Sequence, residues 1–256
     1  MQDLNTLQNT DSSDEGAQAW AIPFADMMTL LLTLFILLLV ILKESEKFVD
    51  RQINLLLQET YEQLDKEIAD ENVSIERVTK GIQITLRGNL FQSMKASVNK
   101  SYIPTIQEIS KIIADCRLFN IEETKEYSAL VNFLEERNEE LNVEIRCEGH
   151  TDDAILPPQA AFDNNWELSS ARSLKVVNIM NDASSISEKY FSYNGYGEFR
   201  PLINVTEIDD FQKKKQARAY NRRVEIYLDA FARPKTRSSE DEFLKMIKNK
   251  YDKKEG

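Results

Sequence analysis

Residues 20–42, WAIPFADMMTLLLTLFILLLVIL, constrain this chain more than any other stretch: only here is it apolar enough to lie in lipid, and here it carries a carboxylate. From Phe24 to Leu42 there are 19 residues, and their only polar side chains are Asp26, Thr29 and Thr33. At about 1.5 Å per residue the run nearly covers a hydrocarbon core of roughly 30 Å, which predicts one transmembrane helix. A carboxylate within such a helix costs on the order of 2.5–3.5 kcal/mol, so Asp26 is expected to face a protein partner or a water-filled path. The i, i+3, i+7 spacing of Asp26, Thr29 and Thr33 places all three on one face, as an interior lining would require. A second reading stands beside this one. Asp26 lies only two residues into the apolar run and Trp20 is an interface residue, so the carboxylate could instead cap the helix at headgroup depth.

The flanks do not suit a cleaved secretory signal, which carries basic residues before its apolar run; residues 1–19 hold four acids and no Lys or Arg. The nearby bases, Lys43, Lys47 and Arg51, follow the helix, and that charge alone would put the C-terminal part in the cytoplasm. A net charge of −11 argues against nucleic acid as a partner. One His, no Cys-x-x-Cys and no Gly-rich phosphate loop remove the common metal and nucleotide signatures, so no cofactor is expected. Cys116 and Cys147 could pair or sit buried as small hydrophobes.

After the membrane segment, residues 43–72 are expected to form a helical connector, plug-like over 44–58 where it would limit ion flow, with Ile53, Leu57, Tyr61, Leu64 and Ile68 at helical spacing, widened by Leu55 and Leu56. Such a stripe suits either a partner helix or the surface of a following domain. Residues 73–232 are expected to be that domain. Val73 to Leu86 alternates as two short strands turning near Gly81, and residues 89–100 read as a loop. Ile103 to Ala114 reads as a helix with Pro104 in its first turn. Residues 121–142, with seven acids against two bases, hold a second amphipathic helix on Tyr127, Leu130, Val131 and Leu134. A strand over Asn142–Cys147, a helix over Asn165–Asn181 with Leu168, Ala171, Leu174 and Val177 inward, and strands over Phe191–Tyr196 and Arg223–Leu228 complete the pattern. The order βαβαββ implies an α+β sandwich, helices on one face of a mixed sheet. Residues 233–256 form a charged tail in which Ser239 and Glu242 are spaced as a capping box.

Two motifs carry chemistry: GHTDD at 149–153, leaving a strand, and NWELSSAR at 165–172, opening a helix. Asp152 and Arg172 could converge on a shallow pocket, Asp152 taking an ammonium and Arg172 a carboxylate in bidentate geometry. An internal Asp152 to Arg172 ion pair is the alternative. Asp152 and Asp153 are adjacent on one loop and do not obviously flank a scissile bond, so an enzyme is not expected.

Residues from about Ile145 to Leu228 resemble the OmpA-type peptidoglycan-binding domain, through IRCEGHTDD, NWELSSAR, YNGYGE and NRRVEI in that order. The resemblance implies that Asp152 and Arg172 hold the diaminopimelate of the wall's stem peptide, that Asn165 and Leu168 shape the pocket, and that Asn221, Arg222 and Arg223 support it. The opening PFADMMTLLLTLFILLL is similar to the membrane helix of MotB-type stator subunits, which implies that Asp26 carries a transported H⁺ or Na⁺ and that Thr29 and Thr33 line its path. It further implies a multi-helix membrane partner of the MotA or ZorA type, a dimer of this chain, a cytoplasmic N-terminus and a periplasmic domain, overruling the weak charge signal. The short acidic N-terminus and compact connector look most like the ZorB-type subunits of Zorya anti-phage systems. A flagellar stator, or a passive wall tether in which the helix is only an anchor, are the other readings.

Overall fold

The computed structural model of the chain describes residues 11–92, 94–121 and 125–235. The proposed capping box at Ser239 and Glu242 lies outside the described residues. The apolar stretch and most of the connector form one helix, α1 (Asp11–Glu67). Pro23 lies inside it, so the i→i−4 bond its N–H would have made is missing three residues before Asp26. Two compact units divide the chain, Met1–Arg51 and Gln52–Gly256. In the first, every residue from 20 to 44 is exposed, and α1 is long and apolar enough to cross a membrane.

The second unit begins within α1. Ile53, Leu56, Leu57 and Leu64 are buried there while Leu55 is exposed, so this half of the connector is a surface helix of the domain. Each such leucine contributes about 1.5–3 kcal/mol by leaving water. Polar groups fix its position: Arg77 donates to Asn54 Oδ1 at 3.1 Å, and Arg117 and Tyr127 both donate to the Glu59 carboxylate at 3.2 Å.

A hairpin follows, β1 (Val73–Val78) and β2 (Gly81–Leu86). Gly81 opens β2 rather than forming the turn, and a Cβ there would collide with the Leu228 carbonyl of the neighbouring strand. Next come α2 (Ile103–Asp115), burying Ile106, Ile109, Ile112 and Ile113, and α3 (Ser128–Glu136), burying Leu130 and Leu134 after a short 3₁₀ turn that buries Tyr127. The remaining elements are β3 (Glu139–His150), α4 (Asn165–Ala183), β4 (Phe191–Gly195), α5 (Phe211–Asn221) and β5 (Arg223–Pro234). The sheet order is β1-β2-β5-β3-β4, with β3 and β4 parallel and every other pair antiparallel. This is the mixed sheet with helices on one face expected from the pattern.

Three local expectations need correction. The strand expected over Asn142–Cys147 runs from Glu139 to His150, because β5 pairs with it along that whole length. The final strand likewise continues from Leu228 to Pro234. On α4, Leu174 is exposed, and the inward face runs Leu168, Ser169, Arg172, Ser173, Val176, Val177 and Met180. The face is rotated because α4 meets the sheet through backbone: Gly149 on β3 and Gly195 on β4 leave no room for a Cβ against Ser169 and Ser170. Small serines therefore stand where an apolar pattern would place leucine.

One rung crosses all five strands at the edge where β3 ends: Val73, Leu86, Val224, Gly149 and Gly195. Both cysteines are buried as free thiols, and burial raises the Cys147 pKa to about 12.

Candidate functional site

The loop after β3, the start of α4, the end of α5 and the loop after β2 meet at that edge. Between them lies a pocket of about 290 Å³, lined by Asp152, Asn165, Leu168, Arg172 and Arg222 together with Phe91, Met94, Ile155 and Leu156. The two residues expected to hold a ligand, Asp152 and Arg172, the two expected to shape its pocket, Asn165 and Leu168, and one of the three expected to support it, Arg222, are thus brought together. Asn221 and Arg223 lie behind it. Asn221 holds the loop at Ile203 by two hydrogen bonds, accepting from its N–H at 3.0 Å and donating to its carbonyl at 2.8 Å. Arg223 is buried beside Glu225 and donates to the Arg200 carbonyl at 3.2 Å. On α1, Thr29 and Thr33 donate to the carbonyls of Asp26 and Leu30 at 2.7 and 2.8 Å.

The helix start that presents Arg172 is built locally. Asn164 caps α4 by accepting from Glu167 N–H at 2.9 Å, while the Glu167 carboxylate accepts from Asp163 N–H at 2.8 Å, a reciprocal cap. Asn165 donates to the Ala154 carbonyl at 3.1 Å and to the Glu198 carboxylate, tying the loop after β3 and the loop after β4 to the helix. Arg172 is 4% exposed. Its guanidinium lies over the Phe91 ring at 4.9 Å, and its Nε donates to the Lys95 carbonyl at 3.1 Å. Among the described residues its two terminal nitrogens have no hydrogen-bond acceptor. Burial pulls its pKa down to about 10, against the opposing pull of Asp152, so it remains cationic at neutral pH.

Asp152 does not pair with Arg172. Its Oδ2 accepts from Arg222 Nη1 at 2.6 Å, and its Oδ1 accepts from Ala154 N–H at 3.3 Å. Asp153 is held by Arg218 through two bonds of 2.6 and 2.9 Å, and that hydrogen-bonded pairing lowers its pKa. Both acids of the loop are therefore matched by arginines one helical turn apart at the end of α5. The pocket keeps two cations, Arg172 and Arg222, around one carboxylate. Such a set can take a ligand bearing both a carboxylate and an ammonium.

Behind the pocket, His150 is 2% exposed, stacks on Tyr196 and leaves both ring nitrogens without a hydrogen-bond partner. Burial first, and then Arg223, lower its pKa to about 4. Glu148, His150 and Glu225 present ligand atoms within 4.8 Å of one another, a spacing a metal ion could use. Arg146 and Arg223 already occupy the two carboxylates, however, which makes this a buried ion network.

Phe91, Met94 and Lys95 were invisible in a stretch read only as a loop. Their one signal was two large apolar residues amid polar ones, and Met94 takes the left-handed φ of 55°. Arg218 went unseen because the helix carrying it has no apolar period.

Comparison with known proteins gives two family matches. Residues 7–54 match the family described as membrane MotB of the proton-channel complex MotA/MotB, and residues 118–215 match the OmpA family. The chain is 27% identical over 177 residues to "Motility protein B" of Bacillus subtilis, a match covering 67% of this chain and 56% of that relative. It thus spans little more than half that protein's length. It is 22% identical over 231 residues to the uncharacterized protein YtxE of the same organism, covering 84% of this chain and 90% of that one. Among solved structures, a putative MotB-like protein from Desulfovibrio vulgaris aligns with a TM-score of 0.49 at 20% identity, over 71% of this chain and 98% of the other.

Proposed function

We propose that this chain, a MotB-type protein with an OmpA domain, is the wall-anchored subunit of an ion-driven complex in the inner membrane. In this reading α1 crosses the membrane once, with the N-terminus in the cytoplasm and the domain on the outer side. Asp26 carries H⁺ or Na⁺ between this helix and a multi-helix partner of the MotA or ZorA type, with Thr29 and Thr33 along the path and the chain working as a dimer. A carboxylate removed from bulk water needs a counter-charge, so in a dry position the bound ion supplies it, and the ion leaves when partner movement rehydrates the site. A passive anchor would have no use for a carboxylate at position 26. Within this class, the acidic N-terminus favours a ZorB-type role in anti-phage defence. The match to a relative named for motility favours a second reading, a flagellar stator.

The observation that carries wall binding is the pocket itself. Asp152, Asn165, Leu168 and Arg172 line one cavity, and the buried Arg172 turns unpaired nitrogens toward no described acceptor. There Arg172 takes the carboxylate and Asp152 the ammonium of one diaminopimelate end, each a charge-assisted bond of about 1.5–3 kcal/mol. Sedimentation of the detergent-solubilised chain with intact sacculi tests this. Arg172→Ala and Asp152→Ala should each weaken association by roughly tenfold or more. Folded variants that sediment like the parent would remove the assignment.

A further inference from the structure

Trp166 follows the pocket residue Asn165, and Phe199 follows Glu198, whose carboxylate accepts from Asn165. Their rings stack with centroids 5.1 Å apart and planes 26° from parallel. Yet Trp166 is 49% and Phe199 61% exposed. Two large rings stacked on each other but left open to solvent beside a polar pocket form a contact surface without its contact. The backbone under them is fixed. Gly197 N–H donates to the buried Ser169 hydroxyl at 2.9 Å, Thr151 N–H donates to the Gly197 carbonyl at 2.9 Å, and Phe199 N–H closes a turn on Tyr196 at 3.2 Å. The pair is therefore held in place before any ligand arrives. Among the described residues the Trp166 indole N–H has no acceptor, which leaves a donor on the exposed ring.

We propose that the Trp166–Phe199 pair is a saccharide platform, stacking on the C–H face of a sugar ring in the glycan strand whose stem peptide fills the pocket. The proposal rests on the peptidoglycan reading of that pocket. A pyranose ring offers a flat apolar face of C–H groups and a rim of hydroxyls, which matches an exposed aromatic surface that carries the indole N–H as a donor. The occupant follows from connectivity. A stem peptide is covalently attached to its glycan, and three extended residues reach only about 10 Å, so a peptide gripped in the pocket delivers its sugar to the rim.

The test compares two soluble ligands on the full chain in detergent: the wall tetrapeptide alone, and the same peptide on its disaccharide. The parent should prefer the disaccharide form by about three- to tenfold, the scale of one aromatic stacking contact. Trp166→Leu and Phe199→Leu should erase that preference while leaving free-peptide affinity unchanged, and Trp166→Phe should keep most of it. The chain has two tryptophans, so in a Trp20→Phe background the emission of Trp166 should shift with the disaccharide ligand and not with the peptide. Equal affinity of the parent for both ligands, or leucine variants that keep the preference, overturns the platform while the peptide clamp stands. A parent that binds neither ligand sinks the wall reading, and the platform with it.

Discussion

Asp152 Oδ2 accepts a 2.6 Å hydrogen bond from Arg222 Nη1, so the acid in the pocket is neutralised by a residue at the end of α5 and not by Arg172 across the cavity. This separation keeps the two halves of the clamp from closing on each other. Without Arg222, Asp152 is free to turn toward Arg172 and satisfy it internally. Arg222→Ala should therefore weaken binding to sacculi by about five- to tenfold, with Arg222→Lys nearer the parent. Tighter binding by Arg222→Ala would instead mark Arg222 as a competitor for Asp152.

His150 ties the stability of the fold to pH. Its folded pKa, about 4, lies below the ordinary 6.5, so the unfolded chain binds more protons between these values. The stability it contributes is complete above pH 6.5 and is lost as pH falls toward 4. The loss is on the order of 3 kcal/mol from this residue. Thermal melts from pH 7 to 4 should show a steeper decline in the parent than in His150→Gln, and parallel curves would refute the assignment.

Gly149 carries the seat of α4. A side chain there meets the Ser169 backbone, which cannot rotate away, so Gly149→Ala should destabilise the chain by roughly 1–3 kcal/mol. A melt within experimental error of the parent would show that α4 has room to shift.

For the membrane segment, Asp26→Asn keeps size and hydrogen bonding while removing the titratable charge. Expression and membrane insertion should be normal, and ion-dependent output in a phage-challenge or motility assay should fall to background. Near-normal output would remove Asp26 as the ion carrier.

The sequence made some of this legible and hid the rest for physical reasons. Asp152, Asn165, Leu168 and Arg172 were readable because strand end and helix start are local and their motifs contiguous. Arg222 was readable only as support, since its role depends on α5, a helix of sequence FQKKKQARAYN in which only Ala217 and Asn221 are buried. A helix held by a cap at Asp210 and by ion pairs leaves no hydrophobic period. Leu174 was misplaced because apolar spacing assumes side chains fill the interface, whereas α4 rests on glycines through its backbone. In the connector, Ile53, Leu57 and Leu64 gave the helix but not its partner, and only the fold assigns residues 52–67 to the domain.

The rung Val73, Leu86, Val224, Gly149 and Gly195 places the start of β1 on the same sheet edge as the pocket. A pull on the chain ahead of the domain meets the packed Ile53, Leu56, Leu57 and Leu64 of α1 before it reaches β1. Load that passes this anchor is carried sideways from β1 toward the pocket, strand to strand, along the direction in which antiparallel backbone bonds point. The rung therefore bears it only after the helix has given way.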